Sequence, residues 1–358
     1  MDLFAITAPG LESYLADEMR EAGFAVDAVI PGGVTFQGDW SDVLRANTSL
    51  RGATRILARL AQFRAFHLAQ LDKRSRKIDW LTWLRPGIAF RVEAVCRKSK
   101  IYHHRAAAQR VTRAIEETTG APTAPDAPIV IKVRIEDDLC TVSLDTSGAS
   151  LHKRGLKVQV NKAPMRETLA SLFLRASGFD GSSPVYDPMC GSGTFVIEAA
   201  EIAAGLMPGR ARTFVFSDLA CAIDAQTLSD QRRPHVRFFG SDRDAGAVKM
   251  SQANADRAGV SDITDFQTGP ISDMVPPCEE PGLVIVNPPY GGRIGNKKPL
   301  YGLYAAFGAR VSDAFKGWQI SMITSDGSLA KAAGLDWAAP GPVVNHGGIK
   351  VRLWQAQL

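Results

Sequence analysis

The 358-residue chain is 45% hydrophobic and 22% charged, the balance of an ordinary globular protein with length for two or three cores. Every apolar run is interrupted short of a membrane span, and the acidic opening MDLFAITAPGLESYLADEMREAGF lacks the basic stretch of a signal peptide. Five scattered cysteines (Cys96, Cys140, Cys190, Cys221 and Cys278) with no Cys-x-x-Cys pair argue against a disulfide framework or zinc knuckle and for a reducing cytoplasm. The net charge of +5 is unevenly spread: residues 45–113 carry 17 Lys and Arg against 3 Asp and Glu, a window built to meet a polyanion such as nucleic acid.

Periodicity predicts strands at Leu3–Thr7, Val34–Phe36 and Arg55–Leu60 and helices at Leu11–Ala22 and Trp40–Asn47, so residues 1–65 form a small α+β unit. Residues 66–150 form a second: the basic helical stretch LAQLDKRSRKIDWLTWL, a strand in IAFRVEAVCRK, a helix HRAAAQRVTRAIEETTG closed by Gly120, and a hairpin of IVIKVRIEDD and CTVSLDTSG. This unit carries most of the basic window, and Arg74, Lys77, Arg97, Lys98, Lys100 and Arg105 are its candidate RNA contacts. His103 and His104 stand beside Lys98 and Lys100 with no second ligand cluster, which reads as RNA or solvent contact rather than metal. LHKRGLKVQVNKAP has no periodicity, and residues 151–162 are taken as a linker. From 163 to 358 strands alternate with helices, the pattern of a mostly parallel sheet covered on both faces.

Three motifs in that half carry chemistry. DPMCGSGT (Asp187–Thr194) falls between a strand and a helix; Gly191 and Gly193 let the backbone pass close under a ligand, and Asp187 stiffens the turn. The loop lacks the Gly-Lys-Ser/Thr ending of a phosphate-binding P-loop. In FFGSDRD, Asp242 ends a strand where a carboxylate holds the hydroxyls of a ribose, and Asp244 caps the next helix. The 55 positions between Asp187 and Asp242 exceed the ~20 of a dinucleotide fingerprint, so residues 205–233 are an insertion and a nicotinamide dehydrogenase is disfavoured. The third motif is LVIVNPPYGGRIG. Its prolines remove two N–H groups and leave carbonyls facing outward without local partners, Asn287 adds a side-chain carbonyl, and Tyr290 adds a flat face. Together they suit an exocyclic NH2 on a planar base. Accepting both hydrogens in fixed directions biases the nitrogen towards tetrahedral geometry and aims its lone pair at an electrophile. In this reading the face of Tyr290 matters and its hydroxyl does not.

These motifs, in this order, resemble those of class I S-adenosylmethionine-dependent methyltransferases that methylate amino groups. The whole chain resembles the THUMP-domain RNA guanine-N2 methyltransferases that act on 23S ribosomal RNA, with relatives that act on transfer RNA. The segments that carry the resemblance are LHKRGLKVQVNKAPMRETLAS, DPMCGSGTFVIEAAEIAAGLMPGR, GSDRDAGAVKMSQANADRAGV, VNPPYGGRIG and GWQISMITSDGSLAKAAGL, with RVEAVCRKSKIYHHRAAAQRV resembling the THUMP core. The resemblance implies an α/β fold: a Rossmann-like methyltransferase domain preceded by α+β ferredoxin-like and THUMP units. S-adenosyl-L-methionine is the implied cofactor and structured RNA the implied partner, with no metal. It assigns cofactor contacts to Asp187, Gly191, Gly193 and Asp242, with Cys190 and Thr194 of the Asp187–Thr194 loop counted in the cofactor site, and target-base contacts to Asn287, Pro288 and Tyr290.

Two positions depart from the family pattern. Where relatives place an Asp after the third strand for the adenine amino group, this chain has Gly269-Pro270, leaving the backbone of Ile271 or the side chain of Asp273 to serve. Gly292 stands where relatives have Glu, while Arg293 remains and, with Lys297 and Lys298, is a candidate phosphate contact. Cys190 inside the cofactor loop reads as packing, not as the nucleophile of a pyrimidine C5 methylase. Guanine N2, adenine N6 and a protein glutamine amide are all planar NH2 groups; the basic module in front favours RNA. The non-enzyme alternative is an RNA-binding assembly factor with an inactive methyltransferase domain.

Overall fold

The computed structural model describes residues 1–157, 165–218, 232–290 and 298–358. The chain divides into two compact units, one built around Ala16–Leu151 and the other around His152–Ala211 and Leu228–Leu358.

The first unit is organised on seven strands: β1 (Asp2–Ile6), β2 (Ala25–Ile30), β3 (Gly33–Gln37), β4 (Arg55–Arg64), β5 (Phe90–Arg97), β6 (Ile129–Glu136) and β7 (Leu139–Asp145). Between them lie α1 (Glu12–Glu21), α2 (Trp40–Ser49), α3 (Leu68–Ser75) and α4 (His104–Thr119). All seven strands join one sheet in the order β2-β3-β1-β4-β7-β6-β5. The two small units expected on either side of residue 65 therefore share a sheet. The ten-residue β4 pairs with β1 through Arg55–Ala58 and with β7 through Leu57–Arg64. Strand β2 was absent from the periodicity because it is an edge strand whose residues are nearly all exposed, leaving no alternation to read. Helix α4 ends where Gly120 takes φ +69°, a left-handed cap that L side chains resist.

The second unit begins with α5 (Glu167–Ala176) and alternates β8 (Val185–Asp187), α6 (Thr194–Ala203), β9 (Phe238–Asp242), α7 (Ala245–Ala258), β10 (Thr264–Thr268), β11 (Leu283–Val286), α8 (Lys298–Ala314), β12 (Gln319–Thr324) and α9 (Gly327–Ala332). A hairpin of β13 (Val344–His346) and β14 (Ile349–Gln357) closes it. The sheet order is β10-β9-β8-β11-β12-β14-β13, parallel from β10 to β12. Because β9 and β10 lie on one side of β8 while β11 and β12 lie on the other, the connections reverse direction beside β8. A crevice outside the strands' carboxyl ends is where such sheets bind ligands. β11 is buried throughout, as a central strand covered on both faces must be.

The expected linker is not loosely held where it is described. Arg154 pairs with Glu198 at 3.1 Å, Lys157 lies 3.4 Å from Glu167, and the Arg257 guanidinium donates to the Leu156 carbonyl. Charges make this anchor, and apolar periodicity cannot see them. Residues 219–231, part of the expected insertion, and 158–164 lie outside the described residues. Among the described residues no helix is long and apolar enough to cross a membrane.

Candidate active site

The carboxyl ends of β8, β9 and β11 bring the three motifs together. Asp187 ends β8, Asp242 ends β9, and Asn287 follows β11 directly; register places Asp187 beside Gly240 and Val185 beside Leu283. A Cβ on Gly240 would meet the Phe266 ring at 2.7 Å and Cys190 at 3.1 Å, so this strand passes too close to the loop for any other residue.

The loop after β8 is held from several sides. Asp187 Oδ1 accepts the Met189 amide at 3.0 Å, the Cys190 amide donates to the Ser241 carbonyl at 2.9 Å, and the Gly191 amide donates to Asp242 Oδ2 at 3.0 Å. Gly191 and Gly193 sit at φ +56° and +80°, and a Cβ on Gly193 would come within 3.1 Å of Ser251. Burial pushes the Asp187 carboxyl up to about 8 against the pull of the Met189 amide, and the Asp242 charge adds to the rise. Burial also raises the Cys190 thiol far above its ordinary range, which removes the thiolate a nucleophile needs and agrees with a packing role.

Asp242 still has capacity for a ligand. Its Oδ2 takes the Gly191 amide and its Oδ1 the Asp244 amide at 3.0 Å, and each carboxylate oxygen keeps a lone pair for a ribose hydroxyl. Asp244 caps α7 through the Gly246 amide. The Thr194 hydroxyl is engaged by Lys157 Nζ at 2.6 Å, so what this residue offers a ligand is its place at the start of α6. Ile271 opens a short 3-10 turn, Ile271–Asp273, which the Gly269 amide ties to the Asp242 carbonyl at 3.0 Å. Asp273 is exposed and accepts from Ser272 Oγ at 2.8 Å. A glycine-lined loop, a strand-end carboxylate and a neighbouring backbone turn fit a nucleoside cofactor.

Asn287 Oδ1 is buried and has no hydrogen-bond partner among the described residues. An unsatisfied buried acceptor costs about 1–3 kcal/mol, a cost that a ligand N–H would relieve. The two proline carbonyls differ from expectation. That of Pro289 accepts the Tyr304 hydroxyl at 3.4 Å, while no hydrogen bond among the described residues reaches that of Pro288. Asn287 Oδ1 and the Pro288 carbonyl are thus two acceptors left without a partner among the described residues. The Tyr290 hydroxyl is hydrogen-bonded to His346 Nδ1 at 2.9 Å, so it is not idle as the sequence suggested. Arg293 and Lys297 lie outside the described residues, and Lys298 is the first residue of α8.

Within the basic window, Arg45, Arg55, Arg59, Arg76, Arg91 and Arg113 each pair with a carboxylate and contribute little to an outward field. Arg74, Lys77, Arg97, Lys98, Lys100 and Arg105 make no ion pair among the described residues; Arg74 is half-buried and the other five are exposed. His103 is exposed, and its Nδ1 accepts the Ala106 amide and caps α4. No group of three described His, Cys, Asp or Glu side chains could hold a metal ion.

Sequence reasoning missed the supports. Ser251 Oγ donates to the Gly191 carbonyl at 2.9 Å and Asn254 Nδ2 to that of Ser192 at 3.0 Å, both from α7. Two polar residues three apart on the buried face of a helix were the available signal. His346, at the end of a three-residue strand, offered none.

Residues 154–347 match the family described as the RMKL-like methyltransferase domain, and residues 2–57 match the RlmL ferredoxin-like domain. The chain is 32% identical to the putative RNA methyltransferase slr0064 of Synechocystis sp., over 99% of this chain and 96% of that protein. It is 33% identical to the ribosomal RNA large subunit methyltransferase K/L of Psychromonas ingrahamii, over 94% of this chain and 47% of that protein, so it spans about half of that relative's length. The crystal structure of SMU.472, a putative methyltransferase complexed with SAH, matches with a TM-score of 0.88 at 27% identity, over 99% of this chain and 97% of that one.

Proposed function

The chain belongs to the RMKL-like methyltransferase family, and on that premise we propose that it moves a methyl group from S-adenosylmethionine to the exocyclic N2 amino group of a guanine in RNA, with large-subunit ribosomal RNA ahead of transfer RNA. The observation that carries the reading is the orphaned acceptor: Asn287 Oδ1, buried and without a partner at the end of β11. S-adenosylmethionine supplies an electrophilic methyl group when bound. The chain's own part is to hold and aim the base. Asn287 Oδ1 and the Pro288 carbonyl accept the two amino hydrogens, and Tyr290 offers its face for stacking once the base has left its own stack. No side-chain base is required before attack, because the amino proton becomes acidic as the new bond forms.

The cofactor reading rests on Gly191, Gly193 and Asp242, joined by the 3.0 Å bond between the Gly191 amide and Asp242. The RNA reading is supported by the exposed cations of the first unit, where residues 1–65 are assigned as the ferredoxin-like part and 66–150 as a THUMP part that grips RNA. The name of the K/L relative supports ribosomal RNA first, a substrate that would be met in the cytoplasm. The test incubates the full chain with S-adenosylmethionine and deproteinised 23S ribosomal RNA or transfer RNA, then maps modified nucleosides by mass spectrometry. N2-methylguanosine in ribosomal RNA is the expected product. N6-methyladenosine would move the reading to adenine, and no product from either RNA would leave an assembly factor.

A further inference from the structure

The first unit exposes two aromatic rings that the catalytic reading leaves without a task. Phe66, just beyond β4, is 41% exposed, and Tyr102, between β5 and α4, is 81% exposed. One exposed ring is ordinary on a protein surface. These two adjoin, Phe66 in space and Tyr102 in sequence, cations that make no ion pair among the described residues. Lys100 Nζ lies 4.9 Å from the centroid of the Phe66 ring, and Arg97 and Lys98 precede it on the same exposed turn.

The backbone that carries them is pinned. Lys98 takes φ +43°, a conformation costly for any residue but glycine. Ser99 Oγ donates to the Arg97 carbonyl at 2.6 Å, the Lys100 amide donates to Asp138 Oδ1 at 2.7 Å, and the Asp138 amide donates to Ser99 Oγ at 3.1 Å. Directly after Tyr102, His103 caps α4. A ring displayed on a fixed turn loses little backbone freedom when something stacks on it.

We propose that Phe66, Lys98, Lys100 and Tyr102 form a platform that stacks unpaired bases of RNA while its ammonium groups meet the adjoining phosphates. The proposal rests on the reading of the first unit as the part that grips RNA. Every base has a π face, so a flat ring receives any unpaired nucleotide without reading sequence. In an A-form duplex those faces are occupied by neighbouring bases and only the groove and backbone are on offer. Cations alone would bind both forms; exposed rings among cations favour the unpaired one.

The experiment is fluorescence anisotropy of the full chain with a labelled unstructured RNA strand, and with the same strand annealed into a duplex, over a salt series. Tyr102→Ala should weaken single-strand binding roughly 5- to 100-fold, leave the slope of log affinity against log salt unchanged and spare the duplex. Tyr102→Trp should restore the loss, and the 81% exposure of the site lets all these variants fold. Lys98→Ala should instead weaken both forms and lower the salt slope by about one. The platform is overturned by single-strand affinity indifferent to Tyr102→Ala, which would give the rings to a protein partner, by equal losses on both RNA forms, or by a Trp variant no better than Ala. A wild-type chain that binds neither form overturns the RNA reading of the first unit and the platform with it.

Discussion

The Asp242 carboxylate accepts the amide hydrogen of Gly191 at 3.0 Å, so the residue that ends β9 also shapes the loop that follows β8. A contact to a ribose diol and a contact to the loop thus share one side chain. Asp242→Ala should weaken S-adenosylmethionine binding by about tenfold to a hundredfold, the ~1.5–3 kcal/mol of a lost charged acceptor. Asp242→Asn keeps an oxygen for the Gly191 amide and should fall between. Calorimetry on the full chain decides, and unchanged affinity in the Ala variant would remove Asp242 from the site.

Asp187 makes stability depend on pH. Burial lifts its carboxyl from an ordinary 3.8 to about 8, so its contribution to folding is complete below pH 3.8 and is lost as pH rises through 8. Asp187→Asn keeps an oxygen for the Met189 amide and cannot ionise. Thermal melting between about pH 5 and pH 9 should therefore show wild type losing stability, relative to this variant, as pH rises. Parallel curves for the two proteins would place the carboxyl in an ordinary environment.

Arg154 and Glu198 are 5% and 2% exposed and 3.1 Å apart, a buried pair that holds the chain entering the second unit against α6. Arg154→Ala removes the cation paired with the buried Glu198 carboxylate and should cost about 3–5 kcal/mol, read from the midpoint of urea unfolding. Replacing both with apolar residues, Arg154→Met with Glu198→Leu, should recover most of it. A single variant within about 0.5 kcal/mol of wild type would mean that the pair is already wet.

The three motifs were legible in the sequence because each couples a local rule to a strand end: glycines at positive φ, a carboxylate after an apolar run, prolines between Asn287 and Tyr290. What was illegible came through space. The anchoring of the linker at Arg154 and Lys157 went unread because their partners lie on helices further along the chain. AVDAVI, which forms β2, went unread because an exposed edge has no buried face to create alternation. The basic window overstated its outward charge, since the carboxylates that silence Arg55, Arg59 and Arg113 belong to Asp145, Asp2 and Glu117, none inside the window.

The active-site motif gives the sharpest kinetic test. Asn287 acts on the amino group chiefly at the moment of attack, so Asn287→Ala should lower kcat by about a hundredfold or more with KM little changed. Tyr290 has two parts to separate, a face for stacking and a hydroxyl bonded to His346 Nδ1 at 2.9 Å. Tyr290→Ala loses both and should be the poorer enzyme. Tyr290→Phe keeps the face but frees the ring from its tether, which should cost roughly two- to tenfold in rate, the worth of one ordinary hydrogen bond. If the tether acts through His346, His346→Leu should cost a similar factor and add little to Tyr290→Phe in the double variant. Single-turnover methyl transfer to deproteinised RNA measures all five variants against wild type. Wild-type rates in Asn287→Ala would refute the amino-group account, and additive losses in the double variant would separate His346 from Tyr290.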